Sequence, residues 1–294
     1  MMDSTASWDA DECIDDLITA RCTDVPALLQ AAGVSLYLLI DPFLGDPVLP
    51  APLEAGLSTG ALNAQRTEAW LRPTFALNLP KGLAMDAALA PYLVALQGPE
   101  DPWMDASVQW AVQETVHTWQ ADAHQSVPHR VGGWLQSAAL GPQLAAHLTE
   151  WLRLRTQQPT SAHYLRLADR RVWSLAVHVL GESTMAASLP PVQHWHWLDA
   201  HAAWRTLSAE LATHLSDDAE RHLPSSTFPV FDAKQWAVMA QGPDIHHHMA
   251  SSIAHKLGHS DRAAPTQWLS VNTAQWQAAL LSSKATAPDR RPHP

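Results

Sequence analysis

HYLRLADRRVW, residues 163–173, changes its periodicity in the middle. Its first half alternates, with Leu165 and Leu167 opposing Tyr164 and Arg166, as in a half-buried strand. From Arg170 onward the apolar spacing becomes helical. Val172, Leu175, Ala176 and Val179 form one stripe, widened by Trp173, Val177 and Leu180, and Gly181 is a natural C-terminal stop. Asp169 stands at the joint, placed to accept hydrogen bonds from the first free backbone N–H groups of the helix. Arg170 and Arg171 then fall in the first turn, where the helix dipole disfavours cations by a few tenths up to about 1 kcal/mol. A local rule broken in this way points to a compensating ion pair or to a site. On the first reading, Arg166 and one of Arg170 or Arg171 tie strand ends together, with Asp41 as a carboxylate partner. On the second, a guanidinium is left over for an acidic partner or ligand. Both hold if the two arginines divide the roles.

Working back from this corner, WLRLRT (151–156) alternates and would pair with HYLRLA (163–168) as a hairpin. GPQLAAHLTEW (141–151) reads as a helix, VGGWLQS (131–137) as a strand, PWMDASVQWAVQETVHTW (102–119) as a helix and APYLVALQG (90–98) as a buried strand. Residues 61–71 are a short helix or an irregular segment. SLYLLID (35–41) is a compact apolar run ending in Asp-Pro, and the proline-rich DPFLGDPVLP after it is a loop. Residues 11–32 read as a helix burying Ile14, Leu17, Ile18, Leu28 and Leu29. Beyond the corner, 182–191 reads as loop and HWHWLDA (194–200) as an edge strand. That strand leads into a helix over AHAAWRTLSAELATHL (200–215). Residues 232–258 and 264–283 read as helical, and the last residues as a disordered tail. The expected fold class is therefore α/β (α+β), a mixed central sheet flanked by helices with a smaller C-terminal helical lobe. The expected organisation is an N-terminal helical segment (1–33), an α/β domain (34–200), a helical lobe (201–283) and a tail (284–294).

With 47% apolar and 16% charged residues the composition is that of a globular protein. A formal net charge of −11 argues against a general affinity for nucleic acid or an anionic membrane surface. No run approaches the length of a membrane span, and the acidic start MMDSTASWDADECIDD lacks the apolar run of a secretory signal. Cys13 and Cys22 form neither a CxxC pair nor a disulfide framework, so a reducing, cytoplasmic setting is expected.

Catalytic motifs are sparse. There is no GxSxG elbow, no GxxxxGK[ST] and no GxGxxG. His246, His247 and His248 are consecutive, so on a helix they point about 100° apart and cannot all face one ion. His255 and His259 at i, i+4 could share a metal, as could His194 and His196 on one strand face, but no HExxH is present. Surface histidines are the plainer reading, and neither a cofactor nor a metal is expected. The alternative function kept open here is a metal-dependent hydrolase using the histidines of 246–259.

In order and spacing, SLYLLIDP, APYLVAL, GGWLQS, LAAHLTEWLRLRT and YLRLADRRVW resemble the domain-of-unknown-function 4123 family, adaptor chaperones of bacterial type VI secretion. The family pattern ends in an Arg-Phe-Tyr-Asp-Pro-Arg corner that opens a helix. Here the corner is Arg166-Leu167-Ala168-Asp169-Arg170-Arg171. Arg170 stands where the family has Pro, Leu167 and Ala168 replace the aromatic pair, and His147-Leu148-Thr149 lacks the usual Arg. The resemblance spans about residues 34–200. It implies a non-enzymatic cytoplasmic protein that binds a toxic effector and helps load it onto the VgrG spike protein. Its partners would then be the effector and VgrG. An immunity-like protein that neutralises a toxin instead of delivering it is the other binding function open.

Overall fold

A computed structural model describes residues 10–29, 33–49, 56–79, 83, 85–121, 127–154, 163–210 and 229–259. The helices are α1 (Ala10–Leu28), α2 (Thr59–Trp70), α3 (Pro102–Gln120), α4 (Gly141–Trp151), α5 (Arg170–Leu180), α6 (Glu182–Ser188), α7 (Ala233–Ala240) and α8 (Gly242–His259). The strands are β1 (Ser35–Ile40), β2 (Thr74–Ala76), β3 (Tyr92–Leu96), β4 (Val131–Ser137), β5 (Arg153–Leu154), β6 (His163–Tyr164), β7 (Val192–Leu198) and β8 (Trp204–Ser208).

Six strands form one sheet in the order β2-β3-β1-β4-β7-β8, and β5 and β6 form a separate short hairpin. The protein is α/β, a central sheet flanked by helices, but the expected mixed sheet is antiparallel at every pairing. Interleaved strands and helices suggested parallel neighbours. The crossover through α3 does join two strands of the same direction, β3 and β4. However, β1 lies between them and runs antiparallel to both, so no parallel pair forms.

β1 is buried on both faces, which is why SLYLLI reads as a continuous apolar run. Leu36, Leu38 and Ile40 join Val94 and Trp134 beneath α1, α3 and the middle of α8. Tyr37 and Leu39 join Leu93, Leu135 and Trp195 beneath α4, α5 and α6. On that second face the Trp173 and Trp195 rings stack at 3.7 Å between centroids, 9° from parallel, fixing α5 to β7. The stack needs Gly133, because a Cβ there would sit 2.6 Å from the Trp195 indole nitrogen.

Three local expectations change. WRTLS is strand β8, not helix, so β7 is not an edge and the sheet passes the expected boundary at residue 200. The cause is the reversal before it. The Asp199 carboxylate accepts from the backbone N–H of His201 (2.8 Å) and Ala203 (3.0 Å), folding β8 back onto β7 against the helical preference of an Ala-rich stretch. The segment expected as loop after Gly181 contains α6. The alternating hairpin starts later than read, since Trp151 closes α4, and among the described residues Arg153↔Tyr164 and Leu154↔His163 pair. Within the span expected as a helical lobe, α7 and α8 pack on α5 and α3 and share the two cores of the sheet through Met239, Ala250 and Ile253. The helix expected over 264–283, the tail at 284–294 and residues 155–162 lie outside the described residues. No described helix is long and apolar enough to cross a membrane.

Candidate functional site

The corner is built where β6 ends and α5 begins. Asp169 is buried and caps α5, its Oδ1 accepting from the Arg171 backbone N–H at 3.0 Å. The same carboxylate takes a two-point contact from the Arg171 side chain, Nε to Oδ1 at 3.0 Å and Nη2 to Oδ2 at 2.7 Å. Burial alone would raise its pKa, but the Arg171 guanidinium, with His129 and Arg166 behind it, holds the carboxyl well below the usual range. Arg166 reaches back across the sequence and donates from Nε to Asp41 Oδ2 at 2.8 Å, with its guanidinium carbon 4.4 Å from the Phe43 ring centre. Asp41 lies just past the end of β1, so this bond ties the corner to the central strand. Burial pushes the Asp41 carboxyl up to about 6, against the pull of Arg166.

Arg170 faces inward and is 2% exposed. Its Nη1 donates to Glu114 Oε2 at 2.8 Å and to the Val131 carbonyl at 3.2 Å. Its Nη2 donates to the Ala111 carbonyl at 2.7 Å and Thr115 Oγ1 at 2.8 Å. Glu114 Oε1 in turn accepts from the Arg130 backbone N–H at 3.0 Å. One side chain thus joins α5, α3 and the start of β4. The corner lies tight against β4 because residue 132 is glycine. A Cβ there would meet the Ala168 carbonyl oxygen at 2.4 Å.

All three arginines of the corner are therefore paired: Arg166 with Asp41, Arg170 with Glu114 and Arg171 with Asp169. The cation expected to be left over for a partner is absent from this set. The cationic first turn is offset by those ion pairs, which explains the broken dipole rule.

Outside the corner lies a cleft of about 510 Å³. Its floor is α5, at Val172 and Leu175, and its far wall is α7 and α8, at Met239, His246 and Ala250. Phe43 and Leu44, among the few large apolar side chains that are exposed, stand at one side of it. Tyr164, Arg166, Asp169 and Arg171 supply the polar wall. Tyr164 Oη, Arg166 Nη2 and His246 Nε2 are buried atoms with no hydrogen-bond partner among the described residues. For Arg166 the nearest acceptor is Asp169 Oδ2 at 3.5 Å. Burial and then Arg171 push the His246 imidazole down to about 4, so it is neutral at ordinary pH.

The other candidate histidines do not converge. His196 uses both ring nitrogens internally, with Thr206 Oγ1 at 2.8 Å and Gln136 Oε1 at 3.0 Å, which removes it from a ligand pair with His194. His246 is half-buried while His247 and His248 are exposed, as their helical spacing requires. The side chains of His255 and His259 lie outside the described residues. Among the described residues, no group of three or more His, Cys, Asp or Glu side chains is arranged to hold a metal ion.

Sequence reasoning missed Glu114, Tyr164, Phe43 and His246 as members of this region. Glu114 had a signal: a carboxylate three residues after Ala111 on the buried stripe of α3 calls for a cation. It also missed a second buried network. There Arg66 donates to Asp46 at 3.0 Å and lies 3.9 Å over the Tyr92 ring. No family model, curated protein or solved structure matches the chain.

Proposed function

We propose that this protein is a non-enzymatic adaptor that binds a type VI secretion effector in the cytoplasm and helps load it onto the VgrG spike. One observation carries the reading. Two of the motifs that carry the family resemblance, the Asp-ended strand and the Arg-to-Arg corner, are 125 residues apart and meet in the 2.8 Å Arg166–Asp41 bond. A resemblance made of unrelated short matches would have no reason to bring them together. The corner's arginines are committed to carboxylates, and this supports recognition through a rigidly held surface in preference to bond chemistry. The test is co-purification of the untagged chain with VgrG and with the effector encoded beside it, together with effector delivery in a deletion strain. Retention of both partners and a healthy strain unable to deliver are expected. Normal delivery without the protein would overturn the reading, and self-intoxication of the strain would replace it with the immunity-like one.

A further inference from the structure

The two edges of the six-stranded sheet differ. At the β2 edge, Asn63 of α2 donates to the Thr74 carbonyl at 2.9 Å, and α2 and α4 both pack there. The β8 edge is open. Backbone bonds run from Asp199 to Ala203 and from Ala209 to Gln193, at 2.9 Å each, so the odd-numbered residues exchange bonds with β7. Trp204, Thr206 and Ser208 therefore turn their N–H and C=O groups away from β7. No hydrogen-bond partner for these groups lies among the described residues, and Arg205 and Thr206 are exposed. The usual guards of an edge are missing, since β8 holds no Lys or Pro and pairs without a bulge. Its one charge, Arg205, is bound to Asp199 at 2.8 Å.

Amide groups repeating at every second residue, about 7 Å apart, match an extended main chain and no other ligand shape. Size and charge then select among extended chains. A second copy could offer its own β8, but five residues fall far short of the roughly 20–30 a side in a stable interface. Each copy also carries a net charge of −11 and repels the other. We infer that β8 is the docking edge for an extended segment of a partner protein, which adds a seventh strand to the sheet. The segment carries no net negative charge and alternates. Its apolar residues lie beside Leu207, on the face that α6 covers, and its polar residues beside the exposed Thr206. This goes beyond the adaptor reading and does not depend on it, because the edge binds through main-chain groups whichever protein supplies the segment.

A phage-displayed library of random dodecapeptides, selected on the full chain, tests it. Enriched peptides should alternate apolar and polar residues and be poor in Asp and Glu. In hydrogen exchange followed by NMR they should slow the amides of Trp204, Thr206 and Ser208. The amides of Arg205 and Leu207, already bonded to β7, should not change. Thr206→Pro removes an outward N–H, a change that edge strands tolerate, and should bind the peptides about tenfold more weakly or worse. Thr206→Ala loses the same side-chain bond to His196 but keeps the N–H, and should bind as the parent does. The inference is overturned by a selection that enriches nothing or enriches acidic peptides, by peptides that leave the three outward amides unprotected, or by equal affinity for Thr206→Pro and the parent. A parent that is a dimer by light scattering, with Thr206→Pro a monomer, gives the edge to a second copy and overturns it as well. The exchange measurement uses the parent chain and decides the matter even if Thr206→Pro fails to fold.

Discussion

Arg170 and Arg171 are neighbours in sequence and differ in almost every other respect. The first is enclosed between three elements and makes four hydrogen bonds, to one carboxylate, two carbonyls and one hydroxyl. The second remains 24% exposed at its side chain, on the wall of a cleft, and bonds to its own helix cap. A helix turns about 100° per residue, enough to send one guanidinium into the core and the next towards solvent. The inner half of the corner is therefore satisfied and structural. The outer half keeps two partly exposed arginines beside an open cavity.

The largest effect should come from the inner half. Arg170→Met leaves Glu114 buried without its cation and should cost about 3–5 kcal/mol in urea unfolding. Cutting the pair from the other side with Glu114→Gln strands the guanidinium, and the loss should be of the same order. If the two variants together cost no more than either alone, the residues act as one unit. A loss for Arg170→Met of about 1 kcal/mol or less would mean that water reaches the pair, and the inner half would lose its distinct status.

Asp169 joins the two halves and should come next. Asp169→Ala removes the cap of α5, worth about 0.5–2 kcal/mol, and releases Arg171 and Arg166. Both arginines are partly exposed and can regain water, so the total should stay below that of Arg170→Met. Asp169→Asn retains the cap acceptor but loses the charge. The difference between the Ala and Asn variants in thermal melts separates the two contributions.

The strands around this corner were legible because their ends carry chemistry that admits few readings: Asp-Pro after β1, paired glycines in β4 and an Asp before α5. β8 was not legible. Ala200, Ala202 and Ala203 favour helix, and only pairing with β7 makes the strand worthwhile, a tertiary effect invisible in local spacing. The cap role of Asp169 followed from one residue and its position. The partners of the arginines did not, apart from Asp41, because Glu114 lies 56 residues from Arg170 and only the fold brings them together. The cleft was beyond sequence reasoning altogether. It exists because α7 and α8 return to lie beside α5, and no periodicity specifies where a helix docks.

Acid should weaken the fold gradually. Burial pushes His147, His196 and His246 down to about 4 from 6.5. Each therefore binds fewer protons folded than unfolded. Their contribution to stability is complete above pH 6.5 and drains as the pH falls towards about 4. Asp41 has the opposite sign. Its carboxyl is raised from 3.8 to about 6, so protonation over that range favours the fold. Burial and then Arg170 hold His129 well below the usual imidazole range as well, so four histidines stand against one carboxyl. They predict a melting temperature that declines across the window, and His246→Phe should flatten the decline. A rising melting temperature would assign control to Asp41.

The smallest effect should be that of Arg171→Ala. The side chain leaves Asp169 with its backbone cap bond and with Arg166 at 3.5 Å, so the carboxylate is not abandoned. Removing a cation from the first turn also relieves an unfavourable dipole interaction of a few tenths of a kcal/mol. The lost two-point bond and this gain partly cancel, and the net cost should be about 1 kcal/mol or less. Arg170→Met and Arg171→Ala with equal losses in unfolding would erase the distinction between the two halves. A gap of several kcal/mol between them would sharpen it.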